Sequence, residues 1–357
     1  TLPKGAAVQL RKIPGYEDFD EHLEVLECIK PGTGCVDAPR AFSLKLAQVT
    51  QSSELGLAPT TFDGQLEIQH DGYELTAILG KHVDDVKIAG RKAQVLEIVA
   101  AIEKVFGPVA NSIKNGNCED FTNCGVRHTV MPNGDVVADQ DDYIKDLRTI
   151  SNDEIVGKRS HEECSYELQS MFWSLLGAVA YTLLTQVWIS CFVIALQRVT
   201  HKPTVLHVKR LNVIVRAIQA RPQRIRYRQM ACDRHLEVHA DSAFAKEDSK
   251  GYALKGTNVM RRGVDRKTHD QVWHLLEGTA QSHKNVVRST FGAELFAITS
   301  AADNLIPLLV TLEEFAAGGL STSQARRLRD EGGWCFRSVL VTDSMSLFQA
   351  IHAHTIK

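Results

Sequence analysis

Apolar and polar residues follow two different spacings in the first third of the chain. Residues 73–79, "YELTAIL", and 86–89, "VKIA", have the short apolar pattern of β-strands, and we predict that they pair as a hairpin. Apolar residues in 91–107 then recur three and four positions apart, which predicts an amphipathic helix that ends before Pro108. Two paired strands followed by a helix indicate a compact α+β unit.

The middle of the chain predicts a second hairpin and several helices. The segments "CGVRHTVM" and "VVADQ" flank Asn133-Gly134, a dipeptide typical of hairpin turns, and "DDYIKDLRTI" predicts a short helix. No charged residue occurs in 168–197, a stretch long enough to span a bilayer. Several Gln, Ser and Thr residues lower its hydropathy, so we favour two buried helices that meet near "LLTQVW" over a membrane span. Pro203 then opens a helix with an apolar stripe.

The last third predicts strands and one long helix. The segment "LEVHADSAFA" predicts a strand that ends in Asp241, and "GYALKGTNV" and "QVWHLLEG" predict further strands. A serine–threonine pair can cap a long helix over 289–315, which places Glu294 in its first turn. The segment "RSVLVTD" predicts a buried strand with Asp343 at its carboxyl end. Strands that alternate with a helix indicate an α/β layer.

Length and composition are those of an ordinary globular protein. The 357 residues are enough for two or three domains, and 44% apolar with 24% charged residues excludes a disordered chain. Eight cysteines without paired spacings favour reduced thiols, so we expect an intracellular location, in the cytoplasm or the nucleus. The sequence begins at Thr1 without an initiator Met or a signal peptide, and we expect a fragment or a processed segment.

One local region is strongly basic, although the formal net charge of the chain is −2. Between Lys202 and Arg234 there are nine Lys and Arg residues and one acid, Asp233. Such a face is either solvated surface or a contact for the phosphate backbone of a nucleic acid, and the sequence leaves both open. The candidate contacts are Lys209, Arg210, Arg216, Arg221, Arg224, Arg226 and Arg228.

Two sets of carboxylates are candidates for metal binding. Asp84 and Asp85 are adjacent at the tip of the first predicted hairpin, where they form either an acidic turn or a site for a divalent cation that offsets their repulsion. Asp241, Glu294 and Asp343 end or begin separate elements of the predicted α/β layer. They are either caps and surface residues or a cluster that holds two metal ions about 4 Å apart for phosphodiester hydrolysis.

Eight segments, in chain order, resemble the reverse transcriptase–ribonuclease H region of copia-type retrotransposon polyproteins. They are "IPGYEDF", "GTGCVDAPRAFSLKL", "HVDDVKIAG", "WSLLGAVAYTLL", "HVKRLNVIVRAIQ", "HADSAFA", "STFGAE" and "VTDSMSLFQAI". The resemblance implies an α+β and α/β architecture, with a palm- and thumb-like region followed by a ribonuclease H-like domain whose mixed sheet is flanked by helices. The implied domains are partial fingers and palm in 1–110, a thumb- or connection-like region in 111–234, and a ribonuclease H-like domain in 235–357.

The resemblance also implies a role for each candidate residue. Asp84 and Asp85 take the catalytic positions of the polymerase, and three further carboxylates take those of the nuclease: Asp241, Glu294 and Asp343. All five would bind Mg²⁺ or Mn²⁺. Arg40 would contact nucleotide or template phosphate, and the basic segment would contact the backbone of the hybrid. The implied partners are an RNA template, a DNA primer, deoxynucleoside triphosphates and an RNA–DNA hybrid whose RNA strand is cleaved.

The sequence departs from the family pattern at both ends. The first polymerase motif, with its aspartate, would precede "IPGYEDF", yet residues 1–12 contain no acid. The fourth nuclease carboxylate would lie beyond Lys357. We therefore expect a region truncated at both ends, with little or no polymerase activity and a nuclease half that is the better candidate for activity. The alternative is a catalytically inactive nucleic-acid-binding remnant of such an element.

Overall fold

The computed structural model describes residues 5–24, 26, 37–114, 117–243, 253–284 and 286–353, which form a mixture of α-helices and β-strands. Residues 32–36, 244–245 and 251–252, which belong to segments quoted above, lie outside the described residues. The described helices are α1 (Ala6–Leu10), α2 (Ala38–Thr50), α3 (Lys92–Phe106), α4 (Asp141–Asp146), α5 (Tyr166–Tyr181), α6 (Ser190–Gln197), α7 (Val205–Ala220), α8 (Thr290–Ala317), α9 (Thr322–Glu331) and α10 (Met345–His352).

The described strands form three four-stranded sheets and one two-stranded pair. They are β1 (Ala58–Pro59), β2 (Leu66–Asp71), β3 (Glu74–His82), β4 (Asp85–Gly90), β5 (Ile113–Lys114), β6 (Asn117–Cys118), β7 (Phe121–Asn123), β8 (Val126–Val130), β9 (Val136–Asp139), β10 (Ile225–Tyr227), β11 (Met230–Ala243), β12 (Leu254–Asp265), β13 (Gln271–Ser282) and β14 (Arg337–Val341).

The first sheet is antiparallel and follows the chain order β1-β2-β3-β4. The predicted hairpin is confirmed as β3 and β4, and the predicted amphipathic helix is confirmed as α3. The sheet, α2 and α3 share one core, in which Leu46, Leu79 and Ile98 are fully buried. This unit presents the hairpin that carries Asp84 and Asp85 at its outer tip.

The middle of the chain combines the sheet β10-β9-β8-β7 with helices α4 to α7. The predicted hairpin around Asn133-Gly134 is confirmed as β8 and β9, and Gly134 takes the left-handed conformation (φ 85°) that such a turn favours. The uncharged stretch 168–197 forms most of α5, two short 3-10 helices and α6, so two helices rather than one continuous segment occupy it. Phe172 and Val193 from this stretch are fully buried in a core shared with α7.

The third sheet has the order β13-β12-β11-β14, and its strand β11 carries Asp241. Strands β11, β12 and β13 are antiparallel neighbours, whereas β14 runs parallel to β11. Helix α8 packs against β11 and β12, and its core includes Leu236, Val238 and Leu305. The long helix and the strands predicted for this part of the chain are therefore confirmed, but β14 is not buried as predicted, because it is the edge strand of the sheet and Arg337, Ser338 and Leu340 are exposed.

Two further details of the predicted elements are wrong. Strand β11 continues two residues beyond Asp241, because Ser242 and Ala243 still pair with β12. Helix α8 begins at Thr290, with the Ser289 hydroxyl accepting the amide of the third residue as a cap. Glu294 is therefore the fifth helical residue and lies in the second turn rather than the first.

Helix α8 is, in the part of the chain that the structure describes, the one helix long and apolar enough to cross a membrane by length and composition. It is also the helix that covers the third sheet, and its buried residues include two carboxylates, Glu294 and Glu314. Glu314 accepts hydrogen bonds from the Thr61 amide (3.1 Å) and hydroxyl (2.7 Å), which links α8 to the first sheet. The helix thus contributes to both the third sheet's core and a contact between units.

The middle unit packs closely on the third sheet at one glycine. A Cβ atom at Gly278 of β13 would lie only 2.3 Å from a methyl carbon of Val187, which belongs to a 3-10 helix between α5 and α6. Helix α6 also contacts β13 and its neighbour β12. Only glycine allows this approach, so the helical unit covers part of the sheet face opposite α8.

Candidate metal centre

Three elements bring Asp241, Glu294 and Asp343 together. Strands β11 and β14 are parallel neighbours in register His239 with Val341, so Asp241 and Asp343, each two residues further on, reach the same edge of the sheet. Helix α8 packs on β11 and brings Glu294 to that edge. One oxygen from each carboxylate lies within 4.8 Å of the others. The structure thus brings these three predicted residues into one cluster.

The three carboxylates differ in their exposure to water. Asp241 and Asp343 are exposed, whereas Glu294 is 6% exposed and its Oε2 is buried without a hydrogen-bond partner among the described residues. Burial raises the pKa of Glu294 to about 7, and the negative charges of Asp241 and then Asp343 act in the same direction. The backbone amide of Ser242 partly opposes this rise in pKa. The ionised form of Glu294 is therefore disfavoured in the folded protein.

This environment fits a divalent cation with a preference for oxygen ligands. Mg²⁺ and Mn²⁺ bind carboxylate oxygens. The buried Glu294 Oε2 has no hydrogen-bond partner among the described residues, so its lone pairs are free to coordinate a metal ion. A cation would also offset the burial and the repulsion by Asp241 that raise the pKa of Glu294. Asp241, Glu294 and Asp343 would hold such an ion between the strand edge and the second turn of α8.

Sequence reasoning missed one contributor to the cluster, Ser242. Its amide donates a 2.7 Å hydrogen bond to Asp241 Oδ1. The same amide partly opposes the rise in the pKa of Glu294. The Ser242 side chain points to the opposite face of β11 and is 6% exposed. The one sequence signal for this role is its position directly after Asp241.

Asp84 and Asp85 are placed differently, at the exposed tip of β3 and β4. His82 pairs with Asp85 across a two-residue turn, and Val83 in that turn takes a left-handed conformation (φ 54°). Asp85 accepts a 3.3 Å hydrogen bond from the Cys124 amide. Within the described residues, the two aspartates belong to no group of three clustered His, Cys, Asp or Glu ligands. Metal binding at this pair stays a prediction.

The predicted basic residues divide into two sets. Arg224, Arg226 and Arg228 form ion pairs with acids from elsewhere in the fold: Arg224 with Asp141 (2.5 Å), Arg226 with Asp135 (2.7 Å) and Arg228 with Asp265 (3.6 Å). These pairs neutralise much of the charge that the sequence concentrates in 224–228. The other candidates are exposed on the outer face of α7 or directly after it: Lys209, Arg210, Arg216 and Arg221.

The first-turn residue Arg40 of α2 is exposed as well. Neither it nor the four exposed basic residues near α7 contributes to the carboxylate cluster, but cations on an open surface can hold an anionic polymer by sequence-independent contacts. A carboxylate cluster that retains a divalent cation is, in turn, suited to activating water and stabilising charge on a phosphodiester.

Compared with protein-family models, curated proteins and solved structures, the chain matches none.

Proposed function

We propose that the chain derives from the reverse transcriptase–ribonuclease H region of a copia-type retrotransposon, and that its carboxylate cluster hydrolyses the RNA strand of RNA–DNA hybrids with Mg²⁺ or Mn²⁺. The observation that carries the proposal is the convergence of Asp241, Glu294 and Asp343 from three separate elements, with an unpartnered buried oxygen on Glu294. Hydrolysis of phosphodiesters by divalent cations needs such a set of oxygen ligands.

The architecture of the third sheet supports the same proposal. The resemblance implies a ribonuclease H-like domain with a mixed sheet flanked by helices, and the third sheet has three antiparallel strands with β14 parallel to the first of them. Helix α8 covers one face, and the motif segments that carry the three acids occur on β11, on α8 and after β14. A polymerase-derived first region is a further part of the proposal, supported by the hairpin position of Asp84 and Asp85.

The residues of the chain would divide the work of hydrolysis. Exposed Asp241 and Asp343 face the solvent side, where a scissile phosphate can approach, and buried Glu294 anchors the cation from the protein side. The bound metal would supply an activated water and offset the charge that develops on the phosphate. Exposed cations on α7, such as Arg216, would contact the hybrid backbone, which favours binding at low salt.

DNA synthesis on an RNA template is the less supported half of the proposal. Asp84 and Asp85 lie within no cluster of three ligands among the described residues, so the pair alone supports it. Binding of an RNA template, a DNA primer and nucleotides near Arg40 would belong to this half. Hydrolysis of hybrids, in the cytoplasm or the nucleus, is the activity we propose.

The test is cleavage of a labelled RNA strand in an RNA–DNA hybrid with Mg²⁺ or Mn²⁺. The parent chain is expected to cleave, and Asp241→Asn and Asp343→Asn are expected to lose cleavage by a factor of 100 or more, about 3 kcal/mol in barrier. Asp85→Asn is the matched control, because it removes the same charge from the hairpin tip and is expected to cleave like the parent. Cleavage that survives Asp241→Asn would contradict the proposal. Hybrid binding without cleavage by the parent would favour the inactive remnant.

A further inference from the structure

A buried histidine contacts the strand that carries Asp241. His283 follows β13 directly, is 6% exposed, and places its Nε2 3.0 Å from the hydroxyl of Ser242. The Ser242 hydroxyl donates its own proton to the Leu254 carbonyl oxygen at 3.0 Å. Because that proton is already used, the imidazole must donate from Nε2 to the Ser242 oxygen. Ser242 is thereby held from two sides.

Ser242 in turn connects to two of the three carboxylates. Its amide donates a hydrogen bond to Asp241 Oδ1 at 2.7 Å, and the same amide partly opposes the rise in the pKa of Glu294. A displacement of Ser242 along or across β11 would therefore move the amide that holds Asp241 Oδ1. The position of the Asp241 carboxylate beside Glu294 is thus tied to the Ser242 backbone.

His283 also contacts the helix that carries Glu294. Its ring packs edge-on against Phe296, with 6.2 Å between ring centroids, and Phe296 is two residues after Glu294 on α8. The His283 amide donates to the Ala253 carbonyl oxygen at 2.8 Å, which fixes the backbone at the end of β13. One side chain thus bridges the strand of Asp241 and the helix of Glu294.

We propose that His283 is a positioning residue that acts through Ser242 to set the spacing of Asp241 and Glu294 for a divalent cation. This inference rests on the proposed function, because it assigns a role relative to the same metal centre. His283 touches neither the cation nor the substrate in this role. Partners behind metal ligands orient them, and their loss typically weakens metal binding about 10- to 100-fold.

The test is the affinity of the chain for Mn²⁺ alone, measured from the electron paramagnetic resonance signal of free Mn²⁺. His283→Leu removes the donor, and Ser242→Ala removes its acceptor but keeps the amide that faces the acids. Each is expected to weaken Mn²⁺ binding about tenfold or more. The double variant is expected to bind Mn²⁺ as tightly as the single variant with the lower affinity, since both changes break the same connection. His283→Gln, which keeps an N–H donor, is expected to restore part of the affinity.

His274 provides a matched control on β13. It is 9% exposed, its Nε2 accepts the Arg228 amide at 3.0 Å, and its ring packs edge-on against Tyr227, yet it contacts none of the three acids. His274→Leu is expected to lower the melting temperature while Mn²⁺ affinity stays at the parent value. This control separates loss of a buried histidine from loss of positioning.

The outcomes distinguish the two proposals. Mn²⁺ affinity that is unchanged in His283→Leu and Ser242→Ala, or that falls equally in His274→Leu, would overturn the positioning role while leaving the metal centre intact. Additive losses in the double variant would overturn the route through Ser242. A parent chain that does not bind Mn²⁺ would overturn the proposed function itself, and the positioning role with it.

Discussion

Replacing Glu294 with glutamine should stabilise the metal-free protein at alkaline pH. The pKa of Glu294 rises from 4.5 to about 7 in the folded protein because of burial and of Asp241. Below pH 4.5 the carboxyl group is protonated in both the folded and the unfolded chain, so it contributes no penalty. Above pH 7 it is ionised in both states, and the folded state carries the full penalty. Stability should therefore fall as the pH rises from 4.5 to 7.

The size of the effect follows from the pKa. At about 1.4 kcal/mol for each pH unit, a rise from 4.5 to about 7 corresponds to about 3 kcal/mol. Glu294→Gln removes the charge and keeps the shape, so the variant should match the parent near pH 4.5 and exceed it by about 3 kcal/mol at pH 8. The unfolding free energy would be measured by urea titration with EDTA, followed by tryptophan fluorescence.

A matched variant tests whether the effect belongs to the buried site. Glu313→Gln, on the same helix, removes a charge that lies outside the carboxylate cluster and should leave the pH dependence of the parent in place. If Glu294→Gln and the parent fall in parallel between pH 4.5 and pH 8, the burial of an ionisable Glu294 carboxylate is the wrong explanation. With saturating Mn²⁺ the order should reverse, because only the parent gains from binding.

Three further predictions concern the metal centre and the packing around it. Because Glu294 must lose its proton to bind a cation, Mn²⁺ affinity should rise about tenfold per pH unit up to pH 7 and level off above it; a flat titration from pH 5.5 to 8.5 would contradict this. Gly278→Ala should cost about 1–3 kcal/mol in denaturant titrations, and Val187→Ala in the same chain should recover part of that loss; additive losses would argue against the contact. Asn212→Leu should cost about 2–5 kcal/mol, since it leaves the buried amide and carbonyl of Ile150 without their partners at 2.9 and 2.8 Å; an unchanged melting temperature would refute it.

Patterns within single segments were enough to predict many of the elements. The short apolar runs around Asp84 and Asp85 and the helical spacing after Gly90 correspond to β3, β4 and α3. The placement of three acids at the ends of strands and near the start of a helix made a shared cluster one of two interpretations, the other being caps and surface residues. Their actual meeting depends on β14 lying beside β11, which the local pattern alone does not specify.

Features that depend on residues distant in sequence were outside the reach of these patterns. Arg226 appears in the sequence as part of a basic run, yet Asp135, 91 positions earlier, neutralises it. The exposed cations of α7 remain as the basic surface, for example Arg216. The contact of His283 with Ser242 likewise joins residues 41 positions apart and left no motif in the sequence.

The location of a bound metal tests the central claim most directly. Crystals of the parent chain would be grown with Mn²⁺ and an RNA–DNA hybrid whose RNA strand carries non-hydrolysable phosphate linkages, and anomalous scattering would locate the metal. We predict Mn²⁺ about 2 Å from oxygens of Asp241, Glu294 and Asp343, with a phosphate of the RNA strand beside it. A cluster that stays free of Mn²⁺, or a metal found only beside Asp84 and Asp85, would contradict the account.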